Sequence, residues 1–119
     1  MTDCIFCQIV ARAAPATIWR ENEHAIAFPT IEPVGAGHML VIPKRHAEAI
    51  FDLEDDEASV YMIAMKTWGQ ELMEEQGATG MNFLNASGKD AQQSVFHLHF
   101  HLVPRFPDDG HDLWIQGAT

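Results

Sequence analysis

The stretch Ser94-Val95-Phe96-His97-Leu98-His99-Phe100-His101-Leu102-Val103-Pro104-Arg105 constrains this chain more than any other. Apolar and imidazole side chains alternate without a break from residue 96 to residue 102. That is the two-residue period of a β-strand, whose successive side chains point to opposite faces. The spacing sends Phe96, Leu98, Phe100 and Leu102 to one face and His97, His99 and His101 to the other. The apolar face demands a core, and the three imidazoles demand hydrogen-bond partners or a metal. Pro104 has no N–H to give, so it is expected to end the pairing of a strand predicted over 95–103. Three readings of the imidazole row are open at this point. It is a half-exposed strand rich in histidine, a metal site built from i, i+2 histidines, or a nucleophilic histidine oriented by its two neighbours.

The rest of the chain alternates helical and strand signals. Residues 5–12 read as a short helix with Phe6, Ile9 and Val10 on its buried side, broken at Ala14-Pro15-Ala16. Residues 17–21 and 24–28 read as a hairpin turning across 21–23. Pro29, Pro33, Gly35 and Gly37 mark a loop, and 38–43 is a third strand. The one long helix is predicted over 54–76, where Val60, Tyr61, Ala64, Met65, Trp68, Leu72 and Met73 recur at spacings of three and four. Glu54, Asp55, Asp56 and Glu57 crowd its first turn, where the helix dipole favours negative charge, and Gly77 is a natural stop. A strand at 81–84, a loop at 85–93 and the histidine strand complete an α+β domain, helices on an antiparallel sheet, over residues 1–105. Residues 106–119 form a C-terminal tail rich in Asp and Gly.

Charge and cysteine usage narrow the function classes. The chain has 119 residues, enough for one domain with its own core. Seven Lys and Arg against 17 Asp and Glu give a net charge of −10, which argues against a nucleic-acid binder working by phosphate neutralisation. A small anionic ligand remains possible where a pocket supplies local donors. No apolar run approaches the roughly 18 residues of a membrane span, and no secretory leader is visible, so the cytoplasm is the expected location. Cys4 and Cys7, the only two cysteines, are a redox pair or half of a metal site. A zinc site would need two further ligands, which spacing alone does not name.

The pattern His-apolar-His-apolar-His-apolar-apolar resembles the signature of the histidine triad (HIT) family of nucleotide hydrolases and transferases. Three further blocks share the resemblance: Cys4-Ile5-Phe6-Cys7-Gln8-Ile9, Gly37-His38-Met39-Leu40-Val41-Ile42-Pro43-Lys44-Arg45-His46, and Asn85 through Gln93-Ser94-Val95. They run in the family's order from about residue 4 to 105. The paired N-terminal cysteines are most similar to the bacterial branch of histidine triad nucleotide-binding proteins.

The resemblance implies a five-stranded sheet with one long and one short helix per chain, joined in a homodimer into ten strands. It implies a structural zinc ion on Cys4, Cys7, His46 and His97, with no metal needed for the chemical step. It makes His99 the nucleophile, places His101 and His38 beside it, and gives the Ser94 hydroxyl to the leaving group. Asn85 and Gln93 fall at positions that contact the phosphate or the leaving side. Phe6, Ile9, Phe28, Ile31 and Leu40 fall at base-pocket positions for a purine nucleotide or nucleotide conjugate. The implied tail reaches towards the partner subunit; a tail folded on its own protomer is the alternative. Three departures stand out, one of them a tail that matches no family pattern. Family members carry an acidic residue gripping the ribose where this chain has Thr30, after Pro29, and a glycine where it has Gln92. His24 and His111 read as surface residues with no assigned role. A metallohydrolase using all three strand histidines as ligands, and a non-catalytic nucleotide sensor, remain as alternatives.

Overall fold

The computed structural model describes residues 3–115. The hairpin signal near the N-terminus is realised as β1 (Arg20–Glu21) and β2 (Ala25–Pro29), turned by Asn22, whose Oδ1 accepts from the backbone N–H groups of His24 and Ala25, both at 2.8 Å. β3 (Met39–Pro43), β4 (Gly80–Leu84) and β5 (Phe100–Arg105) complete one antiparallel sheet in the order β1-β2-β3-β5-β4. The apolar runs of β2 and β3 are long enough to be buried on both faces, and the period of two splits them cleanly. Ala25, Ala27, Met39 and Val41 face one core, whereas Ile26, Phe28, Leu40 and Ile42 face another.

The first core lies under α2 (Asp55–Gln76), which brings Tyr61, Ala64, Met65, Trp68 and Leu72 onto the sheet. The helix begins as the acidic cluster predicts: the Glu54 N–H donates to the Glu57 carboxylate at 2.9 Å. Arg45 holds that carboxylate from outside, Nη2 to Oε1 at 2.7 Å. It ends at Gly77 in the left-handed region (φ 68°), with the Ala78 N–H on the Met73 carbonyl at 2.9 Å. The Tyr61 hydroxyl donates to the Val41 carbonyl at 2.6 Å, which satisfies the one polar atom on this buried ring. Gly69 lets α2 approach β4 closely: a Cβ there would lie 2.8 Å from the Phe83 ring. The second core is covered by α1 (Ile5–Val10), which buries Phe6 and Ile9. No helix among the described residues is long and apolar enough to cross a membrane.

Several expected elements are corrected. Residues 17–19 are not strand; only Arg20 and Glu21 pair with β2, although the Trp19 N–H still reaches the Ala27 carbonyl at 2.8 Å. The loop at 85–93 contains a 3-10 turn, Lys89–Ala91, and another, Ile50–Asp52, precedes α2. The histidine strand begins at Phe100, not residue 95, because the backbone at 97–99 is satisfied elsewhere. The Leu98 N–H goes to the Ala47 carbonyl (2.7 Å), the His99 carbonyl to the Asn85 amide (3.0 Å) and the His97 carbonyl to the His99 ring (2.9 Å). Phe96 consequently leaves the core and is half exposed, whereas Leu98 and Leu102 are fully buried. Pro104 does not end the pairing: it faces Met81, and Arg105 faces Gly80. The β3 ladder stops two residues earlier at Leu102, so the imino nitrogen is needed by one neighbour fewer. Residues 106–115 turn back on their own chain, and the end of the tail, 116–119, lies outside the described residues.

Candidate functional site

Two of the four thiol and imidazole groups at the N-terminal edge come from α1. Cys4 caps this helix, its Sγ accepting from the Cys7 N–H at 3.3 Å, so both sulfurs sit at the helix start. Burial of Phe6 and Ile9 docks the helix against the sheet and carries the sulfurs to His46, just after β3, and His97, just before β5. The His97 Nε2 lies 2.8 Å from the Pro43 carbonyl, which only accepts, so the ring proton is on Nε2 and the lone pair on Nδ1. That Nδ1 lies 3.3 Å from Cys4 Sγ, 3.4 Å from Cys7 Sγ and 3.2 Å from His46 Nδ1; Cys7 Sγ and His46 Nδ1 are 3.1 Å apart. All four ligand atoms fall within 4.8 Å of one another. A tetrahedron with metal–nitrogen bonds of ~2.0 Å and metal–sulfur bonds of ~2.3 Å has edges of about 3.3–3.8 Å. Two sulfurs and two imidazole nitrogens spaced in this way can hold a metal ion. Burial pushes the His97 pKa down, which keeps Nδ1 bare near neutral pH.

The other two strand histidines face a different space. The His99 Nδ1–H donates to the His97 carbonyl at 2.9 Å, so Nε2 carries the lone pair. Phe6 meets this ring edge to face at 5.3 Å between centroids. Next along the face, His101 Nδ1 lies 2.9 Å from His38 Nε2, and His38 Nδ1 accepts from the Val34 N–H at 3.0 Å. Since an amide only donates, the His38 proton sits on Nε2 and is given to His101, whose own proton is then on Nε2. Burial lowers the pKa of His38, and burial with the neighbouring imidazoles of His99 and His38 lowers that of His101 to about 4. Both are neutral at pH 7.

A cleft of about 1220 Å³ opens in front of these rings. His38, Ser94, His99 and His101 line its polar end. The expected base-pocket residues Phe6, Ile9, Phe28, Ile31 and Leu40 line the apolar remainder, with Thr30. Ile31 stands at the rim, 94% exposed. Asn85 and Gln93 are not brought to the cleft. The Asn85 amide holds the His99 carbonyl and its Oδ1 accepts from the Ser87 hydroxyl at 2.8 Å. Gln93 is buried and bonded to the Gly88 N–H (2.7 Å), the Val95 carbonyl (3.1 Å) and the Glu48 carbonyl. Their amides shape the loop that carries Ser94 and support the His99 backbone. Gln92 adopts φ 72°, the left-handed geometry that glycine favours, so this loop keeps the backbone form despite the side chain.

Sequence reasoning missed two contributors. Glu32 is the one carboxylate among the described residues lining the cleft; its N–H reaches the Thr30 hydroxyl at 3.3 Å, so the two belong to one turn. Val34 acts through its backbone amide, which no side-chain pattern reveals. The three-histidine metal centre is not formed among the described residues. Only His97 joins a group of metal-type ligands, while the Nδ1 atoms of His99 and His101 are taken by a carbonyl and by His38.

A profile of the HIT domain matches residues 11–108. The chain belongs to the HIT domain family. The HIT match begins just after α1, so Cys4 and Cys7 lie outside it. Similar sequences include Protein hit of Bacillus subtilis (strain 168), 41% identical over 104 residues, 87% of this chain and 72% of that one. Adenosine 5'-monophosphoramidase hnt1 of Schizosaccharomyces pombe is 34% identical over 112 residues, 94% of this chain and 80% of that one. The crystal structure of a HIT family member from Bacillus subtilis superposes with a TM-score of 0.90 at 38% identity, covering 98% of this chain and 84% of that one. The α+β architecture with a five-stranded antiparallel sheet and two helices is that of these HIT structures.

The partly buried His101 has a testable thermodynamic consequence. Its pKa is about 4 when folded, below its ordinary 6.5, so the unfolded chain binds more protons between these values. Its contribution to stability is complete above pH 6.5 and is lost as pH falls towards 4. The urea midpoint should therefore fall less between pH 7 and pH 5 for His101→Asn than for the parent. Equal losses on acidification in both proteins would contradict the assignment.

Proposed function

We propose that this HIT protein is a nucleotide hydrolase or transferase acting on a nucleoside phosphoramidate or related purine-nucleotide conjugate, with His99 as nucleophile. The observation that carries this reading is the bond from His99 Nδ1–H to the His97 carbonyl, which leaves Nε2 as the nucleophilic nitrogen of a cleft-lining ring. The phosphoramidase named among the relatives supports the substrate class. In the first displacement Nε2 bonds to the α-phosphorus while the P–N bond to the amine breaks, its electron pair goes to nitrogen, and the amine departs with a proton taken from solvent water. In this reading the Ser94 hydroxyl, which lines the cleft, hydrogen-bonds the departing group, and the His101 Nε2–H donates to a phosphoryl oxygen. In the second, water bonds to phosphorus as the P–Nε2 bond breaks and its electron pair returns to Nε2; the water's proton passes to solvent, and the nucleoside monophosphate is released. The apolar wall of Phe6, Ile9, Phe28 and Leu40 suits the flat face of a base, with Ile31 at its edge. Thr30 and Glu32 are the groups nearest in sequence to where a ribose would be gripped.

His99→Ala should lower turnover of adenosine 5'-phosphoramidate by roughly 10³-fold or more while nucleotide binding persists. Steady-state kinetics within tenfold of the parent would contradict the nucleophile, and nucleotide binding without turnover in the parent would favour the sensor.

The four-ligand group is proposed to hold a structural zinc ion. Its donor set and spacing suit zinc, and a closed four-protein-ligand site offers no position for a reacting water. It would tie α1 to the loops flanking β3 and β5. Elemental analysis should give one zinc per chain, and Cys4→Ser should lose both metal and thermal stability. Protein purified without chelator and carrying no metal would count against it.

A homodimer is proposed through β4. This strand is an edge of the sheet, and an edge is a template for pairing. Phe83 on this strand and Met62 and Ile63 on α2 are large apolar side chains left about half exposed. Light scattering at micromolar concentration should return twice the 13.3 kDa chain mass; a monomer mass would refute the pairing.

A further inference from the structure

The C-terminal segment after β5 is built more rigidly than a tail requires. Asp109 receives four hydrogen bonds. Arg105 Nε and the Phe106 N–H donate to Oδ2 at 2.9 and 3.0 Å, and Arg105 Nη2 and the His111 N–H to Oδ1 at 2.9 and 3.1 Å. The guanidinium also holds Asn82 Oδ1 on β4 at 2.8 Å and the His111 carbonyl. These bonds hold the Asp109 carboxyl well below the usual carboxylate range, and its side chain is only 13% exposed. Asp108 and Gly110, on either side, both take left-handed φ values of 56° and 79°. The turn has one defined shape, and that shape fixes where His111 goes.

His111 goes onto Gly35. A Cβ added to Gly35 would lie 3.0 Å from His111 Nε2, so the ring packs where that glycine has no side chain. Gly35 accepts the His38 N–H at 3.3 Å and follows Val34, whose own N–H donates to His38 Nδ1. The short turn that aims this amide at the imidazole is thus covered from outside by His111.

A neutral imidazole has two tautomers, and its partners decide between them. With the Val34 amide in place, His38 donates through Nε2, His101 accepts at Nδ1, and His101 presents an N–H at Nε2. Without it, His38 is free to carry its proton on Nδ1, and His101 can then present a lone pair. A lone pair facing a phosphoryl oxygen repels where an N–H would bind. We propose that Asp109 and His111 are positioning residues: their turn seats the His111 ring on Gly35, and this contact holds the Val34 amide on His38 so that the His38–His101 pair keeps one tautomer. The kinetic part of this proposal rests on the phosphoramidase reading; the tautomeric part does not.

Long-range ¹H–¹⁵N NMR of the ligand-free, full-length protein reads the tautomers directly. In the parent, His38 and His101 should each show protonated Nε2 and bare Nδ1. In His111→Ala and Asp109→Asn, one or both rings should show averaged tautomers. Kinetically, kcat should fall on the order of tenfold, equivalent to about 1.4 kcal/mol in the barrier, with KM within about twofold. Gly35→Ala, whose added methyl would push against the His111 ring, should lose activity similarly. Gly35→Ala/His111→Ala should be no worse than His111→Ala alone, because the clash has been removed. Single, unchanged tautomers in His111→Ala would overturn the proposal, as would additive losses in the double variant. Should a single variant fail to fold, the remaining members of this set carry the same test. Tautomers that respond in a parent without phosphoramidase activity would overturn the proposed function and leave the brace standing.

Discussion

The three strand histidines that join the two halves of the site hang on one backbone segment, residues 97–101, in which alternate side chains must face opposite sides of the sheet. The apolar set, Leu98, Phe100 and Leu102, is held by the core under α2. Burial of that set leaves no freedom in where the imidazoles go, since a slip of one residue would bring histidines into the core. The histidines then divide by what meets them. His97 meets α1 and its two sulfurs, while His99 and His101 meet the cleft. The bond from the His99 ring to the His97 carbonyl joins the two halves, because the backbone of a residue in the thiol and imidazole group is the acceptor that orients the cleft-lining His99 ring.

The cleft is chemically unusual for an anionic ligand. Among the described residues its lining includes no Lys or Arg, one Glu, and three histidines, of which His38 and His101 are held neutral by burial. With a net charge of −10 on the chain, attraction to phosphate has to come from short-range donors rather than from the overall field. This places unusual weight on which ring nitrogens carry protons. A relay that begins at a backbone amide, Val34, and ends at His101 sets the answer without any charged group.

The legible part of this molecule was the part governed by periodicity. The two-residue alternation located the histidines and their apolar counterparts, and the three-and-four spacing located α2 with its buried Tyr61, Met65, Trp68 and Leu72. The four metal-type ligands and the cleft-lining residues came from the resemblance to HIT proteins, and the coordinates bring Cys4, Cys7, His46 and His97 together. What was illegible was decided by backbone partners distant in sequence. The strand is shorter than its alternation predicts because Ala47 and Asn85 take the backbone groups at 98 and 99. Gln93 and Asn85 looked like ligand contacts, yet their amides are spent on loop carbonyls and N–H groups. His111 looked like a surface residue because nothing local says that Asp109 folds it onto Gly35, seventy-odd positions away.

The central claim is that His99 forms a bond to phosphorus and water later breaks it, two in-line displacements in succession. The stereochemical course at phosphorus tests this most directly. A nucleoside phosphoramidate made chiral at phosphorus by sulfur substitution, hydrolysed in ¹⁸O-labelled water, gives a product whose configuration can be assigned by ³¹P NMR. Two displacements through the His99 ring invert the centre twice, so the account predicts overall retention. Inversion would mean a single direct attack by water and would contradict a nucleophilic His99.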